Sequence, residues 1–330
     1  MVKHLIAWGH NPGQYAVKDS VEGSDGKRRD LSPYPAVIAP WEAADSSLTA
    51  LSGKAGHGDD VTLGGARYVV GEVAQYMPTA MRQMSDNRLD EHSAMYAALV
   101  QSSYYRARLE RQTGARLVIA TALPVGWRDA GVETMTAHIR RGLAQHADIA
   151  SVHVASDPAA VIFHELLNDD GDYRPERMHL AKELVCVADI GGSTLNRSVL
   201  ANLKPLPGQS ESPLLGSRRA IEVLARRDRI GFVEAEQRLR AAASLETSNT
   251  TDPAALMVLR QYREQVVAEL RQAWMGMNPA AYLLAGGTAL WVADALKQAF
   301  GPKLIVVANP QQAIAIGLYR YAKRQIGRKR

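Results

Sequence analysis

Short apolar runs of strand length alternate along the chain with longer stretches in which apolar residues recur every third or fourth position. That alternation is the signature of α/β architecture. The runs His4–Trp8, Ala66–Gly71, Leu117–Leu123 (closed by Pro124) and Val152–Val154 predict strands, and the stretch Asp86–Arg111, with Met95 and Leu99 one turn apart, predicts a helix. A polar segment rich in Asp, Gly and Arg covers 168–177, and a new strand begins at Leu184 and ends in a glycine turn. Helical patterns follow over 217–244 and 253–277. Asp252 caps the second of these with Pro253 in its first turn, and Leu256, Leu259, Val266, Leu270, Ala273 and Met277 form one buried face. The segments 40–60 and 204–213, rich in Ser, Gly and Pro, read as mobile loops.

Length and composition sharpen this picture. At 330 residues, 46% of them apolar, the chain exceeds what one core fills, so two domains are expected. The longest apolar runs fall far short of the roughly 20 residues that cross a bilayer. The N-terminus enters a strand-like stretch without the pattern of a secretory signal, so a cytoplasmic protein is expected. The single cysteine, Cys186, lies between Val185 and Val187 and reads as an inert buried thiol. The net charge of +5 is concentrated in six basic residues between Arg320 and Arg330, which leaves the rest of the chain near neutral. A broad DNA-binding face is therefore not expected; the tail reads as a solvated terminus or as a contact for phosphate or an acidic partner.

Three glycine turns carry the candidate chemistry. In Asp189-Ile190-Gly191-Gly192-Ser193-Thr194-Leu195-Asn196 a strand ends in a carboxylate beside two glycines and two hydroxyl residues. Such a turn brings backbone N–H groups close to an anion, and the carboxylate could order the waters of Mg²⁺; an ordinary hairpin with an Asx turn has the same sequence. It is neither a Walker A loop nor a dinucleotide fingerprint. In Asn11-Pro12-Gly13-Gln14-Tyr15-Ala16-Val17-Lys18 a turn offers backbone donors and Lys18 returns an ammonium group, the alternative being a plain β-turn. In Leu283-Leu284-Ala285-Gly286-Gly287-Thr288-Ala289-Leu290 a strand feeds a Gly-Gly-Thr turn and a helix, where the missing side chains would let a base or ribose lie on the backbone. The alternative is a tight turn without a ligand. The first two segments echo each other: each runs an apolar strand into a short polar residue, a spacer and a glycine.

In order along the chain these turns, with Asp157-Pro158-Ala159-Ala160 between the first two and Asn309-Pro310-Gln311-Gln312-Ala313 after the third, resemble the five nucleotide-site motifs of the actin, Hsp70 and sugar-kinase superfamily. Within it the chain is similar to the ParM-type plasmid-segregation actins of bacteria and archaea, with further matches at Tyr34-Pro35-Ala36, Tyr68-Val69-Val70-Gly71 and Ala122-Leu123-Pro124-Val125. The resemblance implies an actin-like fold, two ribonuclease-H-like domains around a nucleotide cleft. Domain I would cover 1–165, completed by 305–330, and domain II 166–304. It implies ATP or ADP held by Asn11, Gly13, Gln14 and Lys18 from domain I, and by Gly191, Gly192, Ser193 and Thr194 from domain II. Gly216, Ser217, Gly286, Gly287 and Thr288 would contact adenosine. Asp189 would hold Mg²⁺ through water, and Asp157 would position the attacking water. Asn11 stands where the family's first phosphate turn opens with Asp, and an alignment on Gly9 would put Ala7 there; Asn196 stands where a second acid is frequent. An amide adds no charge, so Mg²⁺ affinity and hydrolysis are expected to be lower. The implied function is an ATPase that polymerises into filaments for plasmid or DNA segregation, with itself and a DNA-binding adaptor as partners. A small-molecule kinase or phosphatase of the same superfamily and a non-hydrolysing nucleotide-binding scaffold are the alternatives.

Overall fold

A computed structural model describes residues 4–41, 58–77, 79–82, 90, 93–244 and 252–328. The chain divides into two units. The first comprises Met1–Leu123, Trp127–Arg174 and Ile314–Arg330, and the second Pro124–Gly126 and Pro175–Ala313.

The first unit is built on a sheet of β1 (Leu5–Pro12), β2 (Ala16–Glu22), β3 (Arg28–Asp30), β9 (Arg116–Leu123) and β10 (Asp148–Ser156) in the order β10-β9-β1-β2-β3, with β4 (Tyr34–Pro35) also paired to β2. β1, β9 and β10 run parallel; β1 and β9 are buried along nearly their whole length, as strands covered on both faces are, while the edge strand β10 is only partly buried. On one face Ile6, Trp8, Ile119 and Leu123 pack with Tyr96, Val100, Met135 and Ile139 from helices α1 (Ala94–Arg106) and α2 (Val125–Leu143). On the other face α9 (Ala313–Gly327) comes so close that a Cβ on Gly9 would lie 2.2 Å from the Ala315 carbonyl oxygen. α9 also crosses α3 (Asp157–Leu166), where a Cβ on Gly317 would lie 1.9 Å from the Ala160 oxygen. A smaller antiparallel sheet, β6-β7-β5-β8, is formed by β5 (Val37–Pro40), β6 (Asp60–Leu63), β7 (Ala66–Val70) and β8 (Met81–Arg82).

The second unit repeats the device with which the first begins. After the short helix α4 (His179–Lys182), β11 (Leu184–Ile190) turns into antiparallel β12 (Leu195–Ala201), and β11 also pairs in parallel with β14 (Ala281–Ala285). With β13 (Lys204–Glu211) and β15 (Leu304–Val306) the sheet order is β13-β12-β11-β14-β15. One face buries Cys186, Ala188 and Ile190 against α5 (Ser217–Asp228), α6 (Phe232–Ser244), α7 (Pro253–Ala273) and α8 (Ala289–Phe300). Burial pushes the Cys186 thiol up to about 12, so it is inert at physiological pH.

Four expectations change. The segment 204–213 is largely strand β13, whose Gly208 and prolines are tolerated because it is an edge strand. The helical pattern over 217–244 is two helices, broken where Arg229 turns left-handed at φ 54°. The strand at 304–306 belongs to the second unit, because β15 pairs in parallel with β14, and the chain returns to the first unit at Ile314 rather than at 305. The described part of the predicted helix 86–111 starts at Ala94, capped by Ser93, whose Oγ accepts from the Met95 N–H; residues 86–89 and most of the 40–60 segment lie outside the described residues. No helix among the described residues is long and apolar enough to cross a membrane.

Candidate functional site

In the second unit, the turn Gly191–Thr194 joins β11 to β12 and is closed by the Gly191 N–H, which donates to the Thr194 carbonyl at 2.9 Å. The carbonyl oxygens of Ile190, Gly191, Gly192 and Ser193 are each tied to Thr288 or to Gly216–Arg218. Ile190 O accepts from the Thr288 N–H (3.2 Å) and hydroxyl (2.9 Å), and Gly191 O from the Ser217 N–H (3.2 Å). Gly192 O accepts from the Arg218 N–H (2.8 Å) and Ser193 O from the Gly216 N–H (3.1 Å). The described residues include no cis peptide bond. In a planar trans peptide the N–H points opposite to the C=O, so fixing the oxygens of 191, 192 and 193 aims the N–H groups of Gly192, Ser193 and Thr194 the other way. None of these three donates to a backbone carbonyl among the described residues. Three successive N–H donors on a half-buried turn are of the kind that could receive an anion.

The close packing explains two of the glycines. A Cβ on Gly216 would lie 2.3 Å from the Gly192 oxygen, and one on Gly286, which has φ 104°, would lie 2.3 Å from the Ile190 oxygen. Gly286 is held from the far side, its N–H donating to the Pro310 carbonyl at 2.8 Å. Gly287 stays open, its nearest neighbour being the Gln311 side chain at 3.8 Å from a Cβ position.

Asp189 is the penultimate residue of β11, on the sheet face opposite Ala188 and Ile190. It stands in register with Asn196, whose Nδ2 donates to Asp189 Oδ2 at 3.3 Å. Among the described residues no group of three His, Cys, Asp or Glu side chains could hold a metal. One carboxylate backed by an amide suits an ion that keeps its own waters, as Mg²⁺ does.

In the first unit, Gly13 closes the β1–β2 turn by donating to Asn11 O (3.1 Å) and Ala16 O (3.0 Å). Gln14 lies in this turn, and Asn11 pairs across the hairpin with Lys18, whose Nζ lies 3.6 Å from where a Cβ on Gly13 would sit. Lys18 therefore turns its ammonium toward the turn. Gly9 is mid-strand and spent on α9, so the alternative alignment on Gly9 and Ala7 does not describe the turn. Asp157 is the first residue of α3, buried at 5% exposure, directly after β10. Ser156 occupies the cap position, so Asp157 is not the cap.

The structure thus brings Asp189, Gly191–Thr194, Gly216, Ser217, Gly286 and Thr288 together in the second unit, and Asn11, Gly13, Gln14 and Lys18 in the first. Ser217 and Thr288 act on the turn itself: both are buried, and the Ser217 N–H and the Thr288 hydroxyl are spent on its carbonyls. Sequence reasoning missed Arg218, whose N–H fixes Gly192, and Pro310, whose carbonyl holds Gly286; only their adjacency to Gly216–Ser217 and to Asn309 pointed toward them. A groove of about 410 Å³ in the first unit, lined by Asp60, Thr62, Arg67, Gln101, Tyr105 and His146 among others, includes none of these residues.

No protein-family model matches the chain, and no curated protein is similar enough in sequence to match it. Solved structures do. The archaeal actin homolog Ta0583 superposes with a TM-score of 0.69 at 17% identity over 98% of this chain and 99% of its own. The apo pSK41 ParM protein gives 0.71 at 14% identity over 99% of both chains. Bacillus thuringiensis ParM with ATP gives 0.66 at 13% identity over 99% of this chain and all of the other. A sheet opened by a hairpin with a glycine turn, once in each unit, and end-to-end superposition on these proteins show that this chain has the actin-like fold of the ParM type.

Proposed function

We propose that this chain is an ATPase of the actin-like class that binds ATP with Mg²⁺ and assembles with copies of itself, in the service of plasmid or DNA segregation. The observation that carries this reading is the phosphate turn whose carbonyls are tied back by Gly216–Arg218 and Thr288, so that the N–H groups of Gly192, Ser193 and Thr194 project together. Three such donors suit the oxygens of a polyphosphate. The relatives support the ligand: the archaeal homolog was solved with ADP and Bacillus thuringiensis ParM with ATP, AMPPNP and ADP. They support assembly through the pCBH ParM protein, described as a non-polymerisable mutant.

In this reading each of the two glycine turns is a phosphate-binding element. Lys18 supplies positive charge, and Asp189 holds Mg²⁺ through its waters. The metal neutralises charge on the phosphates during transfer. Gly286 and Gly287 leave room for adenosine. Asp157 orients the attacking water. Nucleotide can drive assembly only if it binds two conformations unequally. An adaptor protein would link the assembly to DNA.

Light scattering at micromolar protein, with and without ATP and Mg²⁺, tests assembly, and phosphate release tests hydrolysis. The proposal expects ATP-dependent scattering and slow release, with Asp189→Ala losing the Mg²⁺-dependent part of both. The amides Asn11 and Asn196 favour one second reading, a nucleotide-binding scaffold that does not hydrolyse. Scattering without phosphate release would select it, and binding without scattering would remove the filament.

A further inference from the structure

Directly behind the Asn11–Lys18 pair lies a buried polar cluster that the nucleotide reading does not use. Asp19 is 1% exposed, and its carboxyl group accepts three side-chain donors. Oδ1 accepts from Trp8 Nε1–H at 2.9 Å and from His10 Nδ1 at 2.7 Å, and Oδ2 accepts from the Ser103 hydroxyl at 2.6 Å. Bonding to a carboxylate fixes the His10 tautomer with its proton on Nδ1. The Tyr34 hydroxyl lies 2.7 Å from Ser103 Oγ and 3.0 Å from the Leu99 carbonyl, so its one proton is shared between two acceptors. The Arg106 guanidinium covers the Tyr34 ring at 4.0 Å and is paired with Asp59. A carboxylate buried at this depth costs several kcal/mol unless every lone pair is used, and this one joins β1, β2 and α1 directly and β4 through Ser103 and Tyr34.

The position of the cluster gives it a role. Pairing of β1 with β9 ends at His10, and pairing of β2 with β3 ends at Ser20, so the tip from Asn11 to Lys18 is paired with neither of these strands. On the β2 side the tip is supported by β4, through Ala16–Pro35 and Val17–Tyr34, and by the Ala36 N–H, which donates to the Tyr15 carbonyl at 3.1 Å. His10 and Asp19 are the last cross-strand pair before Asn11 and Lys18. Asp19 therefore holds the base of the tip on the β1 side through Trp8 and His10, and on the β4 side through Ser103 and Tyr34.

We propose that Asp19 is a positioning residue for nucleotide: its buried hydrogen bonds set where the hairpin tip presents Lys18, the residue that meets phosphate. This role rests on the nucleotide reading above. Asp19 touches no ligand itself and acts through Lys18, because a displacement of about 1 Å at a charged contact is enough to lose much of its value. Asn at this position would keep the shape but turn an NH₂ toward donors, leaving the tip unclamped on at least one side.

The test is calorimetric titration of Mg-ATP into the full chain for wild type, Asp19→Asn, Ser103→Ala, Lys18→Ala and the two double variants with Lys18→Ala. Asp19→Asn is expected to weaken binding about 10-fold and Ser103→Ala about 3-fold. In the Lys18→Ala background each should add less than 2-fold, because the group they position is gone. Additive losses in the double variants, or wild-type affinity for Asp19→Asn, overturn the role. If Asp19→Asn does not fold, the Ser103→Ala cycle decides by the same criterion. Wild-type chain that takes up no Mg-ATP overturns the nucleotide reading and this role together, whereas wild-type binding with additive losses overturns this role alone.

Discussion

Gly216 and Gly286 show how narrowly single residues determine the Gly191–Thr194 turn. Each sits where a Cβ would meet a turn carbonyl at 2.3 Å, and Gly286 adds a left-handed backbone. Gly216→Ala and Gly286→Ala are each expected to cost about 2–3 kcal/mol in urea unfolding and to weaken nucleotide binding at least tenfold. Gly126→Ala, in the first turn of α2 with nothing within 4 Å of its Cβ position, should stay within about 0.5 kcal/mol of wild type. Equal losses for all three would mean that the close approach at the turn is unimportant. The strand and turn around Asp189 were legible in the sequence because the pattern is local: strand, carboxylate, glycines and hydroxyls lie within eight positions. The Thr288 hydroxyl was not, since its partner, the Ile190 carbonyl, is 98 residues away. Nor was Asp19, whose only signal was a charge inside the otherwise strand-like run from Val17 to Val21.

At the scale of elements, the strand runs were read correctly wherever burial on both faces made them continuously apolar, as in β1, β9 and β11. The edge strand β13 was read as a loop because an edge tolerates Pro and Gly and shows no apolar run. The break between α5 and α6 depends on Arg229, whose left-handed φ lets the Ile230 N–H reach back to the Ala225 carbonyl at 3.1 Å. Arginine is a costly choice there, and Arg229→Gly is expected to raise stability by about 0.5–1 kcal/mol in urea unfolding; a loss would show that the Arg229 side chain outweighs the backbone strain. The α7 start was legible and is reinforced by its surroundings: Asp252 accepts from the Ala255 N–H at 2.9 Å, and Arg238 donates to both its oxygens. That ion pair holds the Asp252 carboxyl below the usual range.

At the scale of the whole molecule, titration gives stability a direction. Burial holds His164 below its ordinary value, partly offset by its bond to Glu165, and burial likewise lowers His146. The unfolded chain takes up protons at these histidines as pH falls through about 6.5, while the folded chain resists, so stability is full above that pH and declines below it. The slope contributed by each group is at most about 1.4 kcal/mol per pH unit. Asp252, lowered in the fold, contributes stability that is present above about pH 4 and is lost as pH falls through its folded value. Urea midpoints should therefore fall from pH 7 to pH 5, and His164→Gln should flatten that decline; an unchanged slope would contradict the assignment to His164. The two-unit organisation was legible from length and from the repeated strand-and-glycine device. The place where the chain returns to the first unit was not, because only β-pairing decides whether Leu304–Val306 joins β14. The central claim, that the phosphate turn of the second unit binds nucleotide through its backbone, is tested most directly by a crystal structure of the full chain with Mg-AMPPNP. The account predicts phosphate oxygens within about 3.2 Å of the backbone nitrogens of Gly192, Ser193 and Thr194; a nucleotide bound elsewhere, with those three nitrogens facing only solvent, would contradict it.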